Sequence, residues 1–270
     1  VILGMLVMPR MPGMSVPGYL AVGVAIGVAV SEVLAVFDTW NVEYLDWGIL
    51  VSAALVVPAL LCAATLLLTE TVEFALSLWR QRRVPDRLVP DGSHPFVSIH
   101  LPTHNEPPLM VMQTLNALAR LDYPNFEVIV LDNNTGDDSL WRPVQGHCRA
   151  LGPKFRFYHI DNVKGFKAGA LNLALELTSV RAEIVAVIDS DYQVAPDWLR
   201  SAMPAFQDPR VALVQCPQDY RDANSGRFKR WIFGEYAGFF HIGMVERNEH
   251  NAIIQHGTMC LMRREALESV

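Results

Sequence analysis

The sequence lacks the residue patterns that mark several common classes of site. Its four cysteines are scattered without a CxxC pair, which fits neither a zinc site nor a disulfide framework and predicts reduced, structural thiols. No GxGxxG follows the first predicted strand, and no GxxxxGKS or GxxxxGKT occurs, so the usual dinucleotide and P-loop fingerprints are absent. The net charge is −6, without a Lys/Arg stripe interleaved with aromatic residues, which argues against a nucleic-acid partner.

Long apolar runs dominate the first quarter of the chain instead. Residues 16–37 and 47–69 are each close to the roughly 20 apolar residues that a bilayer-spanning helix needs. Trp40 and Trp47 stand at the facing ends of the two runs, as is typical of a membrane interface. A buried core helix is the alternative for either run. We predict two transmembrane helices that follow a short N-terminal segment, 1–15.

The distribution of charge predicts the orientation of these helices. The connection between them carries acidic residues and no Lys or Arg, whereas a basic linker, 70–95, follows the second helix with Arg80, Arg82, Arg83 and Arg87. Basic residues accumulate on the cytoplasmic side of membranes. We therefore expect the region 96–270 to form a cytoplasmic domain.

Short apolar runs alternate with helical patterns throughout this region. The predicted strands are 96–102, 126–133, 155–161, 183–191 and 211–218. Helical spacing of apolar residues lies between consecutive strands, as in the stretch 167–177. Such alternation predicts an α/β domain with a mostly parallel sheet and helices on both faces.

The carboxyl ends of these strands carry most of the polar side chains, and ligands of such sheets bind at that edge. Asp189 and Asp191 follow an apolar strand and alternate with Ser190, so in an extended stretch both carboxylates point the same way. Carboxylate oxygens suit Mg²⁺ or Mn²⁺, with substrate phosphates completing the coordination. A solvated loop is the alternative.

Cationic and hydrogen-bonding groups follow the other predicted strands. Lys164 and Lys167 lie in the loop and first turn before a helix, where backbone N–H groups favour an anion; a solvated lysine pair is the alternative. Asp132 ends its strand, where it could accept hydrogen bonds from a base or ribose or could serve a turn. Asn105 could equally be the N-cap of the next helix.

In chain order these motifs resemble those of family 2 glycosyltransferases, in particular the processive cellulose-synthase-like enzymes of bacteria that make β-glucans. The resemblance covers about residues 95–270. It is carried by PTHNE at 102–106, Asp132 with Asp137, KGFKAGALN at 164–172, DSD at 189–191, QCPQ at 215–218, HGT at 256–258 and Arg263-Arg264. The ordered set is far more specific than any single member.

The resemblance implies a GT-A fold, a Rossmann-like α/β domain with a mixed sheet, preceded here by two transmembrane helices. It implies a UDP-sugar donor, with UDP-glucose expected, and Mg²⁺ or Mn²⁺ as cofactor. The family pattern puts the nucleotide beside Thr103, Asn105, Glu106, Asp132, Lys167 and Asp189. It puts the metal on Asp189 and Asp191, and the donor and acceptor sugars beside Gln215, Gln218, His256, Gly257 and Thr258.

The activity implied is that of an inverting, multi-pass glycosyltransferase of the bacterial inner membrane, which moves glucose onto a growing β-glucan with coupling to export. Its partners would be the UDP-sugar, the glycan acceptor and membrane lipid. The family's general base and QxxRW motif lie downstream, and neither occurs before Val270. We therefore expect this stretch of chain to bind donor without turning it over.

Three alternatives stand beside this interpretation. A glycosyltransferase that acts on a polyprenyl phosphate would share the donor site and differ in its acceptor. A non-catalytic module that binds sugar nucleotides would keep the strand-end residues and lack a downstream carboxylate. A membrane-anchored structural protein would require the polar strand ends to be incidental.

Overall fold

The computed structural model describes residues 16–39, 47–77, 94–249 and 251–269. The predicted N-terminal segment 1–15 lies outside these residues, as do Trp40 and the four arginines of the predicted basic linker. The chain divides into two compact units. One contains the two N-terminal helices and the segment Asp219–Ile253, and the other contains Asp86–Gln218 and Ile254–Val270.

The second unit is built on a six-stranded mixed sheet. Its strands are β1 Val97–Thr103, β2 Phe126–Asn133, β3 Phe155–Ile160, β4 Ile184–Val187, β5 Leu213–Gln215 and β6 Cys260–Arg263. They lie in the order β3-β2-β1-β4-β6-β5. The first four strands are parallel, as predicted, whereas β6 runs antiparallel to both β4 and β5.

The helices of this unit follow its strands, and all but the last lie between two consecutive strands of the chain. They are α3 Pro108–Ala119, α4 Asp138–Leu151, α5 Phe166–Glu176, α6 Trp198–Ala202 and α9 Arg264–Leu267. Proline opens α3, where the missing N–H costs nothing. The carboxylate of Asp137 accepts a hydrogen bond from the backbone N–H of Ser139 at 2.8 Å and caps α4.

The core lies on both faces of the sheet, as the sequence pattern predicts. Val128 and Val130 of β2 belong to the larger cluster, which includes Leu115 of α3. The intervening residues Ile129 and Leu131 pack on the opposite face against alanines of α5. Alternate side chains of one strand therefore fill two separate helix–sheet layers.

Three predicted elements differ from the observed ones. The strand predicted over 183–191 ends at Val187, because β6, which the sequence analysis did not predict, pairs only with Ile184–Val187. The strand predicted over 211–218 is confined to Leu213–Gln215. The apolar spacing over 196–206 predicts one helix, but the observed helix stops at Ala202, and a 3₁₀ turn with proline in its first turn continues to Gln207.

The first unit contains α1 Val16–Thr39 and α2 Trp47–Ser77. Within them, Pro17–Ala35 and Leu50–Ala75 are long and apolar enough to cross a membrane, with mean hydropathies of 1.9 and 2.4. The helix α2 runs eight residues into the predicted linker, 70–95. After Pro58, no Gly or Pro interrupts this helix. The hydroxyls of Thr65, Thr69 and Thr71 donate hydrogen bonds to backbone carbonyls one helical turn earlier.

The described part of Asp219–Ile253, which completes the first unit, contains further helices. They include α7 Arg227–Gly238, a π-helical turn Phe239–Gly243 and α8 Met244–Glu249. Arg247 of α8 forms an ion pair with Glu73 of α2. Tyr236 packs edge-on against Tyr220, with their ring centroids 5.0 Å apart. The ion pair joins the segment Asp219–Ile253 to α2, and this segment belongs to the same compact unit as α1 and α2, whereas the sequence analysis assigned it to the domain 96–270.

His100 in β1 is a buried histidine whose protonation affects stability. Its Nε2 lies 2.7 Å from the hydroxyl of Thr178, and that hydroxyl donates to the carbonyl of Ala174. The proton of the neutral ring therefore lies on Nε2. Burial, and to a smaller extent the charges of Arg156 and Arg264, lower the pKa of His100 from 6.5 to about 4.

We expect the free energy of unfolding to fall as the pH drops from 6.5 toward 4, because the unfolded chain binds a proton that the folded chain does not. Once the pH is below both pKa values, the lost contribution of His100 to the free energy of unfolding is about 3 kcal/mol. His100→Gln, which keeps a donor and does not titrate, should lose this part of the pH dependence. Urea unfolding midpoints of the detergent-solubilised chain and the variant, at pH 7 and pH 5, test this; equal pH dependence in both would contradict it.

Candidate functional site

The carboxyl ends of β1, β2 and β4 share one edge of the sheet, because these strands are parallel. A cavity of about 530 Å³ opens there. Predicted site residues from the ends of β1 and β4 and from α5 line it, namely Thr103, Glu106, Lys167, Asp189 and Asp191. The cavity wall also contains His104, Met110, Asn133, Asn134 and Phe166.

An ion pair joins the opposite sides of this edge. The ammonium of Lys167 contacts the carboxylate of Asp189 and donates to the carbonyl of Gly257 at 2.8 Å. The backbone N–H of Asp189 donates to the hydroxyl of Thr258 at 2.9 Å. These contacts bring the first turn of α5, the end of β4 and the loop before β6 together.

Two glycines set the position of Lys167. Gly165 precedes α5 with φ 88°, in the left-handed region. Gly169, one turn into the helix, has no room for a side chain, because a Cβ there would lie 1.8 Å from the carbonyl oxygen of Lys164. The loop and the helix can therefore approach each other this closely only with glycine at 169.

Asp189 and Asp191 are arranged differently from the prediction. The sequence analysis placed both carboxylates along an extended stretch. Residues 190 and 191 instead form a turn, in which the N–H of Tyr192 lies 3.3 Å from the carbonyl of Asp189. The extended premise is wrong because the strand has already ended at Val187; both aspartates nevertheless line the cavity.

Asp132 lies behind the cavity wall in a hydrogen-bonded network. It is 3% exposed, and its Oδ1 accepts bonds from the hydroxyls of Thr103 at 3.0 Å and Thr135 at 2.8 Å. Its Oδ2 lies 2.7 Å from Nδ1 of His159. A carboxylate has about four acceptor positions, so one remains for any further donor.

Sequence reasoning did not identify His159, Thr135 or Trp141 as part of this network. The indole of Trp141 stacks on the His159 ring, with centroids 4.2 Å apart. His159 is the register partner of Asp132 between β2 and β3. Aligning the two predicted strands in parallel would have placed both side chains on the same face of the sheet.

The loop after β1 is held by β2 and the residues that follow it. Nδ1 of His104 lies 2.6 Å from the carbonyl of Asn133, and the N–H of Asn105 donates to the hydroxyl of Thr135 at 2.9 Å. Asn105 has φ 55° and does not cap α3, whose N-cap is Pro107. The capping alternative for Asn105 is therefore wrong.

Gln215 and the loop residues 256–258, all predicted to contact sugars, are connected to one another. Gln215 donates to the carbonyl of Thr258 at 3.0 Å and accepts from the N–H of His256 at 3.0 Å. It therefore holds the loop that carries Gly257. Gln218 is buried and accepts a bond from the Tyr192 hydroxyl at 2.7 Å, immediately after Asp191.

The donor set of this edge fits a magnesium or manganese ion that shares its coordination with a substrate. Asp189 and Asp191 supply carboxylate oxygens to one cavity. Among the described residues, no group of three or more His, Cys, Asp or Glu side chains comes together. One or two carboxylates with substrate phosphates are a common ligand set for Mg²⁺.

Comparison with known proteins relates most of the chain to one family. The family model described as "Glycosyl transferase family 2" matches residues 98–270. The cellulose synthase catalytic subunit (UDP-forming) of Pseudomonas fluorescens is 29% identical over 240 residues, covering 86% of this chain and 30% of that protein. The beta-monoglucosyldiacylglycerol synthase of Trichormus variabilis is 38% identical over 149 residues, covering 54% and 30%.

A solved structure agrees with these matches. A mannosyltransferase from Pyrobaculum calidifontis, in complex with GDP-Man and Mn²⁺, has a TM-score of 0.51 and 26% identity, and the match covers 69% of this chain and 50% of that one. The predicted GT-A fold is confirmed. The chain spans about 30% of the length of the two curated relatives.

We expect Gly169→Ala to destabilise the second unit, because the new Cβ would collide with the Lys164 carbonyl and force α5 from its loop. Overpacking of this kind costs about 1–3 kcal/mol. Gly146→Ala is the matched control, since a Cβ there meets nothing within 4 Å and alanine favours the helix by about 0.5–1 kcal/mol. Denaturant unfolding of both variants measures the difference; equal stability would contradict the close packing.

Proposed function

Because this chain belongs to glycosyl transferase family 2, we propose that it forms the donor-binding part of a membrane glycosyltransferase that moves glucose from UDP-glucose onto a growing β-glucan. The observation that carries this proposal is the cavity at the strand edge, where the ammonium of Lys167 and the carboxylates of Asp189 and Asp191 face the same space. A cation beside two carboxylates is suited to a diphosphate and the metal ion that accompanies it.

In this proposal the diphosphate lies against the first turn of α5. The ammonium of Lys167 would bind phosphate oxygens, and the backbone N–H groups at the start of this 11-residue helix add partial positive charge. Mg²⁺ or Mn²⁺ held by Asp189 and Asp191 would neutralise charge on the departing diphosphate. Similarity to a mannosyltransferase solved with Mn²⁺ supports this choice of metal.

The nucleoside would lie at the ends of β1 and β2, beside Thr103, Asn105 and Glu106. Asp132 fixes the Thr103 hydroxyl and offers its one remaining acceptor position. Thr135 and His159 hold the Asp132 carboxylate in place. The nucleoside wall is therefore supported by a buried network, which favours one geometry for the bound donor.

The sugar and the acceptor would lie toward the loop before β6. Gln215 holds His256 and Thr258, Gly257 contacts Lys167, and Gln218 is tied to the turn that carries Asp191. We propose that an acceptor hydroxyl attacks the anomeric carbon from this side in a single displacement, which inverts the configuration as the C–O bond to the diphosphate breaks. None of the described residues is assigned as the general base.

The membrane location is part of the proposal. Two apolar helices of sufficient length precede the second unit, and a cellulose synthase catalytic subunit is among the relatives. We propose that α1 and α2 span the bacterial inner membrane with the glycosyltransferase domain in the cytoplasm, in a multi-pass protein that couples synthesis to export. Membrane lipid and a glycan acceptor are then the partners.

A lipid acceptor is the second candidate function. The beta-monoglucosyldiacylglycerol synthase of Trichormus variabilis has the higher identity, 38%, although over 149 residues only. Transfer to a lipid-borne acceptor, including a polyprenyl phosphate, would use the same donor site. Incubating membranes that contain the intact protein with radiolabelled UDP-glucose, and separating organic-soluble from polymeric product, distinguishes the two candidates.

We expect the detergent-solubilised chain to bind UDP and UDP-glucose in calorimetry with Mn²⁺ or Mg²⁺, and to lose at least about tenfold in affinity with EDTA. Asp189→Asn and Asp191→Asn should produce a comparable loss, because each removes a carboxylate from the cavity. Asp208→Asn is the matched control, since Asp208 pairs with Arg210 at the surface.

Two results would contradict the donor site. The assignment of a metal ion to Asp189 and Asp191 would be excluded if UDP gave the same heat of binding with EDTA as with Mn²⁺ or Mg²⁺. Unchanged UDP binding by both Asp189→Asn and Asp191→Asn would exclude it as well. Preference for GDP over UDP would overturn the proposed donor and favour a guanosine nucleotide, as in the Pyrobaculum calidifontis complex.

A further inference from the structure

Phe166 is a large apolar side chain that the fold leaves exposed inside the candidate site. It is 87% exposed and forms part of the cavity wall immediately before Lys167. Single exposed apolar residues are common on protein surfaces, so exposure alone indicates no function. The backbone of Phe166 supplies a second and independent observation.

This backbone is held in an unfavourable conformation. Phe166 has φ 52°, in the left-handed region that bulky side chains rarely adopt. Glycine would occupy the same position without this cost. Strained residues of this kind persist where the surrounding structure fixes them, and they cluster at ligand sites.

The surrounding structure does fix this loop. The side chain of Asn134 accepts from the N–H of Val163 and donates to its carbonyl, both at 2.9 Å. Four residues beyond Gly165, the backbone of Gly169 closes against Lys164. The loop is thus anchored to the end of β2 on one side and to α5 on the other, and its conformation keeps the Phe166 ring in the cavity wall.

The polar neighbours of the Phe166 ring in the cavity indicate which part of a bound donor it would contact. Its cavity neighbours include Asn133 and Asn134 at the end of β2 and Lys167 at the start of α5. In the proposed function, which this inference requires, the first pair lies on the nucleoside side and Lys167 lies at the diphosphate. The planar and least polar part of the donor on that side is its base.

We infer that Phe166 stacks on the base of the bound nucleotide and supplies affinity without base discrimination. Every base has a π-face, so an aromatic platform is tolerant of base identity. Hydrogen-bonding groups near Thr103 and Glu106 would then carry the choice of base. Affinity and specificity for the nucleoside therefore come from different residues of one cavity.

Phe166→Gly separates the ring from the strain, because glycine adopts the observed φ freely. We expect it to weaken the binding of UDP and of GDP by the same factor, roughly 5- to 100-fold. The ratio of the two dissociation constants should therefore be unchanged. Inorganic pyrophosphate, which has no base, should bind the variant as it binds the wild-type chain. Phe166→Tyr keeps an aromatic ring, so its affinity for UDP should stay within about twofold of the wild-type value.

The measurement is calorimetry of the detergent-solubilised chain with Mn²⁺ and each of UDP, GDP, UDP-glucose and pyrophosphate. Val180→Gly is the matched control, since Val180 is 93% exposed, lies in the same unit and is outside this cavity. It should bind every ligand as the wild-type chain does.

Each contrary result has a distinct meaning. Equal loss of UDP and pyrophosphate in Phe166→Gly would show that the ring only shapes the loop around Lys167, and unchanged UDP binding would exclude a contact with the base. A loss of affinity confined to UDP-glucose would place the ring on the sugar instead. Each of these three results would overturn the inference about Phe166 and leave the proposed donor site intact. Failure of the wild-type chain to bind any nucleotide would overturn the proposed function itself.

Discussion

The ion pair between Lys167 and Asp189 is the contact on which the geometry of the site depends. It joins α5 to the end of β4, and the same ammonium reaches the carbonyl of Gly257 in the loop before β6. Both side chains are partly exposed, and ion pairs of this kind add only about 0–1 kcal/mol to stability. The pair therefore matters for the geometry of the site more than for stability. It holds an ammonium and a carboxylate side by side at the edge of the sheet, where both remain accessible to a ligand. The absence of a side chain at Gly169 makes this approach possible.

The polar residues around that pair are supported to different degrees. Asp132 is buried and bonded to three side chains, so it behaves as a fixed part of the protein that orients Thr103. Phe166 is exposed and strained, and its loop is anchored at both ends. The proposed nucleoside side of the cavity thus combines a buried polar network with an exposed aromatic ring, whereas Gln215 holds the loop before β6.

The sequence predicted the parts of this architecture that depend on local pattern. Alternation of apolar runs and helical spacing identified β1, β2, β3 and α5. Because parallel strands bring their carboxyl ends to one edge, the sequence alone predicts that Thr103, Lys167 and Asp189 lie near one another. Non-local pairing was not predictable in the same way. The short strand β6 is defined only by its antiparallel neighbours, the turn at Asp191 depends on where β4 ends, and Asp219–Ile253 groups with α1 and α2 through contacts such as Arg247 with Glu73.

We propose above all that the strand edge binds a metal-bridged nucleoside diphosphate between Lys167 and the two aspartates. A structure of the chain with UDP and Mn²⁺, with an anomalous difference map at the manganese edge, tests it most directly. We predict one manganese peak in contact with the carboxylates of Asp189 and Asp191 and with diphosphate oxygens, and the Lys167 ammonium within hydrogen-bonding distance of a phosphate. Manganese bound elsewhere, or UDP bound away from this edge, would contradict the account.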